Sequence, residues 1–202
     1  AYIMDQLSMA VSQESIVVCT SENGTDDPIA AYCDQQGYNC FRSSLENVAK
    51  RFLDCGLHYG FDYLTRINGD NLFINHEVLQ KMITSAKSGK YNFITNVKDR
   101  TFPKGMSIEI VKRGFYQDYY ENHFSSSGHF EHVTQYFYQK SPGIPWVKYF
   151  YNKTVPQAAG IQLAIDTQKD FEMAERMIDT FDKNIAEYNL AELYKVWEKV
   201  HG

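Results

Sequence analysis

The chain has 202 residues, 44% hydrophobic and 22% charged, which is the balance of an ordinary globule long enough to bury a substantial core. A net charge of −5 and the lack of any long basic run argue against a nucleic-acid-binding surface. No apolar run reaches the length of a membrane span and no signal peptide opens the chain, so a cytoplasmic location away from membranes is expected.

In chain order, Tyr2 to Ala10 has helical spacing, with Ile3, Leu7 and Ala10 on one face and no capping residue before it. Ile16 to Thr20 is a continuous apolar run of the kind buried on both faces in a parallel sheet. Asp27 and Pro28 open a helix that Gly37 closes. Tyr38 to Phe41 reads as a second strand, and Ser43 or Ser44 as the cap of a helix from Leu45 to Tyr59. Tyr63, Leu64 and Ile67 give a third strand, which runs into an Asn-Gly turn and delivers Asp70 at its end. Gly69 is there to take the sharp turn, and Asn75 caps a helix from His76 to Ala86. Strands alternating with helices predict an α/β fold with a mostly parallel sheet flanked by helices.

Beyond Gly89 the expected elements are a strand at Asn92–Val97 and a half-exposed one at Met106–Val111. Helices follow at Phe115–Phe124 and Phe130–Gln139, then strands at Trp146–Tyr151 and Gln162–Ile165. Two helices, Lys169–Phe181 and Asn184–Val200, end the chain as a single domain without repeats. Aromatic residues crowd between Phe115 and Tyr151, which marks either a thick core or a subunit interface. Cys19, Cys33, Cys40 and Cys55 form no C-x-x-C pair and read as free buried thiols of a reducing compartment.

Chemistry concentrates on two acids. Asp70 can hold a metal or a substrate hydroxyl, or serve as a turn residue bonding its own backbone. Asp166 repeats the arrangement, with an apolar run, an acid, and a helix beginning at once. Thr167 and Asp170 have the form of a capping box, which explains those two residues and leaves Asp166 unassigned. Acids at the carboxyl ends of two strands can converge on one crevice, and Mg²⁺ needs only one or two protein carboxylates beside phosphate and water. His129 and His132 lack the spacing of a zinc-protease helix, and no P-loop, G-x-G-x-x-G or G-x-S-x-G run is present.

Six segments occur in an informative order. They are Ile16–Ser21 with Asp26–Ala30; Phe41-Arg42-Ser43-Ser44 with Glu46–Val48 and Arg51-Phe52; Arg66-Ile-Asn-Gly-Asp70; Phe102–Glu109; Glu131-His132-Val-Thr134; and Ile165–Asp170. Together they resemble the cytidylyltransferase family of acylneuraminate and Kdo cytidylyltransferases, above all its spore-coat polysaccharide branch. The resemblance implies a Rossmann-like nucleotide-diphospho-sugar transferase fold and transfer of CMP from CTP to an acidic or related sugar, with release of pyrophosphate. It places Asp70 and Asp166 at the family's Mg²⁺-binding positions, and puts Arg42, Ser43, Arg66, Glu109, Glu131 and His132 at or around the substrates.

The sequence departs from the family pattern at Ser43, where Gly is usual, and at Leu72 and Gln168, where Pro is usual. The family's opening strand and nucleotide-gripping loop are absent, so the chain is expected to be incomplete at its amino end, as a fragment of a longer protein, or else a relative that lost the loop. The competing reading is a non-catalytic relative that pairs with itself or a partner through the aromatic stretch 115–151.

Overall fold

A computed structural model describes residues 2–201. Helix α1 (Tyr2–Ser8) leads to strand β1 (Val17–Ser21), helix α2 (Asp27–Gln36) and strand β2 (Asn39–Ser43). β1 and β2 pair in parallel as a two-stranded sheet, with Val17 opposite Asn39 and Ser21 opposite Ser43. Helix α3 (Val48–His58) then packs against β1, β2 and strand β3 (Tyr63–Arg66), so it lies across both sheets of the molecule. Ala49, Leu53 and Gly56 form its buried face, and Leu64 of β3 occupies the space a side chain at Gly56 would need.

The second sheet has the order β3–β5–β4–β6. β4 (Phe93–Thr95) and β6 (Val147–Tyr149) pair in parallel, while β5 (Glu109–Lys112) runs antiparallel to both β3 and β4. Strands β3, β4 and β6 therefore share one direction and β5 alone is reversed, in keeping with the mostly parallel sheet expected. Helix α4 (His76–Lys87) buries Leu79, Met82 and Ala86 against Ile94, Ile108 and Ile110. Helices α8 (Gln168–Asp179) and α9 (Leu190–His201) pack on each other around Met177, Ile185 and Leu193. Among the described residues no helix is long and apolar enough to cross a membrane.

The aromatic stretch is largely core. Helices α5 (Arg113–Asn122), α6 (Ser127–Glu131) and α7 (Gln135–Gln139) fold Tyr116, Phe124 and Phe137 inward onto Leu53, Leu64 and Phe93. Tyr116 meets Phe52 edge-on at 5.3 Å between centroids, a favourable quadrupole geometry.

Several sequence expectations are corrected. Gln162–Ile165 is an extended segment joined to Lys104 by one bridge, not a strand of the sheet. Met106–Val111 is buried almost throughout, because β5 is central between β3 and β4. The helix expected over Phe130–Gln139 breaks at Val133, which takes φ 37°. α3 begins at Val48 with Asn47 as its cap; Ser44 instead accepts the Asn47 N–H. α2 is entered from Asp26, whose carboxylate is spent on Thr20 and Ser21. Gly69 stays outside the left-handed region, so the turn does not need its freedom. Cys19 is exposed, since β1 pairs only with β2 among the described residues, whereas Cys33 and Cys55 are buried.

Candidate active site

β3 ends at Arg66, and the chain turns through Asn68 and Gly69 to place Asp70 beyond the strand's carboxyl end. The Asn71 N–H donates to Asn68 O at 3.1 Å, which closes the turn. Three side-chain contacts then fasten the residues after Asp70. Asn71 Nδ2 donates to Ser107 O at 3.3 Å; Gln6 Nε2 donates to Leu72 O and Gln6 Oε1 accepts from Ile74 N, each at 2.8 Å. Asn75 caps α4 by accepting from Val78 N at 3.0 Å, so the acid stands on a rigid strand–loop–helix unit.

Asp166 arrives by another route. Lys104 N donates to Ile161 O and Leu163 N donates to Lys104 O, each at 2.9 Å, and Ile165 N donates to the backbone oxygen of Asp70 itself at 3.0 Å. The two acids thus hang on adjacent backbones. The capping box forms as expected: Thr167 Oγ1 and Asp170 satisfy each other's backbone N–H groups at the start of α8. Asp166 remains outside the box and exposed, with Oδ2 accepting from Gln162 Nε2 at 2.8 Å.

Electrostatically the two acids differ. Asp70 Oδ1 is buried and has no hydrogen-bond partner, the one such side-chain oxygen or nitrogen among the described residues. Burial pushes the Asp70 carboxyl above its ordinary value, the Asp166 carboxylate raises it further, and Arg66 opposes them. An orphaned, buried carboxylate oxygen beside a second carboxylate is short of positive charge. A cation satisfies that deficit, and the all-oxygen donors suit a hard ion such as Mg²⁺. Among the described residues no group of three or more His, Cys, Asp or Glu side chains gathers as a metal cage, so any such ion would depend on other oxygen ligands as well. A surface groove of about 720 Å³ lies over α8, lined by Tyr2, Leu72, Ile165, Phe171, Ala174 and Ile178, and neither acid is part of its lining.

Arg66 and Glu109 face each other across β3 and β5, Nη1 to Oε2 at 2.8 Å. Glu109 Oε1 accepts from Thr134 Oγ1 at 2.8 Å and from the Tyr138 hydroxyl at 2.6 Å. Burial and the adjoining Glu109 carboxylate push the Tyr138 phenol far above its ordinary value and keep it protonated as a donor. Both Glu109 oxygens are thus occupied by protein groups. Arg66 bonds Glu109 and keeps a quarter of its side chain exposed, close enough to Asp70 to act on its charge.

The remaining residues lie further apart. Arg42 donates to Ser21 O at 2.8 Å and Asn23 O at 3.1 Å, and pairs with Asp27 at 2.7 Å, tying β2 to the loop after β1. Ser43 lies at the carboxyl end of β2, opposite Ser21, and its carbonyl accepts from Glu22 N at 3.0 Å. Glu131 and His132 are exposed where α6 ends. Sequence reasoning assigned no site role to Gln6, Tyr138 or Thr134, the last of which stands in the Glu131–Thr134 segment. A glutamine on the apolar face of α1 is the one local signal; the hydroxyls acquire their partners only through tertiary packing.

Comparison with known proteins places these features in a family. An uncharacterized protein of Methanocaldococcus jannaschii is 27% identical over 180 residues, covering 89% of this chain and 72% of its own length. The spore coat polysaccharide biosynthesis protein SpsF of Bacillus subtilis is 30% identical over 162 residues, covering 79% of this chain and 65% of its own length. A cytidylyltransferase structure from Leptospira borgpetersenii serovar Hardjo-bovis superposes at TM-score 0.89 and 26% identity, over 98% of this chain and 82% of the other. A CMP:2-keto-3-deoxy-manno-octonic acid synthetase solved with CTP shares the fold at TM-score 0.63 and 13% identity, over 88% of this chain and 86% of the other. The profile described as cytidylyltransferase matches residues 1–199, and the chain belongs to that family.

Proposed function

We propose that the protein transfers CMP from CTP to an acidic or related sugar, releasing pyrophosphate, in the cytoplasmic synthesis of a surface polysaccharide. The observation that carries this reading is the Asp70–Asp166 pair with its orphaned Asp70 Oδ1, standing beyond the carboxyl end of β3. Family membership and the similarity to SpsF support the reaction class. The chain spans 72% and 65% of two curated relatives, so the contacts to the base and triphosphate belong to the proposal as well.

Asp70 and Asp166 would hold Mg²⁺. Bound there, the ion supplies charge screening for the triphosphate and for pyrophosphate as it leaves. Arg66, a quarter exposed and fixed by Glu109, would offer N–H donors to an anionic oxygen of the substrate. The acceptor hydroxyl attacks the α-phosphorus in line, and the P–O bond to pyrophosphate breaks. In this reading no side chain acts as general base; the acidic anomeric hydroxyl of a keto-sugar acid loses its proton to water.

The proposal includes a homodimer through the 115–151 region. Trp146 is 69% exposed next to β6, whose outer edge pairs with no strand among the described residues. If that surface were the protein's sole role, the non-catalytic reading would replace the enzymatic one. CTP turnover to pyrophosphate by the complete protein with Mg²⁺ and a sugar acid separates the two. Loss of turnover in a folded Asp70→Ala variant is expected, and an unchanged rate would refute the metal role.

A further inference from the structure

Val133 takes φ 37° although its β-branched side chain is only 1% exposed. That region is strained for such a residue, and the strain persists only where the surroundings over-determine it. Two contacts do so here. The Val133 carbonyl accepts from the Tyr116 hydroxyl at 3.1 Å, and Tyr116 is wholly buried on α5. On the other flank Thr134 Oγ1 donates to Glu109 Oε1 at 2.8 Å. The kink separates α6 from α7 and leaves Glu131 and His132 exposed at its crest.

The crest has a defined place on the sheet. Glu109 opens β5 opposite Arg66, the last residue of β3, and opposite Thr95, the last residue of β4. Anchoring Thr134 to Glu109 therefore sets the kink on the edge of the sheet beyond which Asp70 projects. Burial and the fixed protonation of Tyr116 make it a permanent donor: desolvation holds its phenol far above its ordinary value.

On the reading that the chain transfers CMP to a sugar, we propose that Tyr116 and Thr134 are positioning residues that fix Glu131 and His132 against the hydroxyl groups of the acceptor. A carboxylate beside an imidazole offers acceptors and a donor to a polyol and repels an anionic group. The hydroxylated flank of the sugar, rather than its carboxylate or the nucleotide, is the part this crest receives.

The test is steady-state pyrophosphate release by the complete protein with CTP and a panel of acceptors: 2-keto-3-deoxy-manno-octonic acid, N-acetylneuraminic acid and free hexoses. Tyr116→Phe keeps the ring and removes the hydroxyl. Its KM for the acceptor should rise about tenfold, the worth of one well-made hydrogen bond, while its KM for CTP stays within about twofold. Thr134→Val should behave in the same way, and Thr134→Ser, which retains the hydroxyl, should keep the original values; this pair carries the test if Tyr116→Phe does not fold. A folded variant with an unmoved acceptor KM, or with both KM values raised together, overturns the assignment alone. Absence of turnover by the unsubstituted protein with every acceptor overturns the transfer reading and this assignment with it.

Discussion

Arg66 and Glu109 occupy opposed positions on β3 and β5, and Glu109 also stands opposite Thr95 on β4, so one residue lies between the ends of three strands while its carboxylate ties β3 to Thr134 and Tyr138. Its side chain is 5% exposed and both oxygens are engaged. Such a group is costly to neutralise, because its partners are left facing each other without their acceptor.

Glu109→Gln should lower stability by about 3 kcal/mol, since it leaves the Arg66 guanidinium without its counter-charge and forces an N–H₂ toward two hydroxyl donors. Urea unfolding monitored by circular dichroism measures this. A midpoint equal to that of the unsubstituted protein would show the hub to be dispensable.

Asp70→Asn should abolish CTP turnover and at the same time stabilise the protein by about 1 kcal/mol, because a neutral amide is cheaper to bury unpartnered than a carboxylate. Adding Mg²⁺ should raise the melting temperature of the unsubstituted protein and leave that of Asp70→Asn unmoved. Equal shifts in both would place the ion elsewhere.

The pH dependence follows from the raised Asp70 carboxyl. The folded state binds this proton more readily than the unfolded chain, so the group's contribution to stability falls as pH rises from the ordinary carboxylate value through the raised one. Binding of a cation needs the ionised form and has the opposite sense. The Mg²⁺-induced rise in melting temperature should therefore fade on acidification at a pH above that of an ordinary aspartate, as a thermal-shift series across pH would record.

Gly105 has φ 90°, and a Cβ there would stand 2.5 Å from the Leu163 carbonyl carbon and 2.8 Å from Ala164 Cα. These are backbone atoms of the segment that carries Asp166, and they cannot step aside without moving the acid. Gly105→Ala should cost about 3 kcal/mol or more and reduce turnover beyond its effect on folding. Retention of full activity at a temperature where the variant is folded would show that the Lys104–Gln162 bridge does not place Asp166.

What the sequence made legible was local. Asn75 and the Thr167–Asp170 box were readable because a cap is a matter of spacing within four residues. Asp70 and Asp166 were readable as acids ending apolar runs. The environment of β5 was not, since its reversal between β3 and β4 depends on which strands come together, and alternation in Met106–Val111 could not reveal burial on both faces. The break at Val133 was equally hidden: the stretch from Phe130 to Gln139 has no Gly or Pro to mark it, and the contacts that kink it come from Tyr116 and Glu109. Glu109 showed its charge in the sequence, but its saturation by Thr134 and Tyr138 is a property of the fold.

Gln6 has a consequence for how the site comes into being. Its amide reaches Leu72 and Ile74, 66 and 68 residues further along the chain, and it is buried with all of its bonds made inside the protein. A contact of that span closes a large loop, whose entropy must be lost before the bonds repay it. The backbone that follows Asp70 is thus held in part by α1, so the acid's setting depends on an element encoded far from it rather than on its own neighbourhood in the chain.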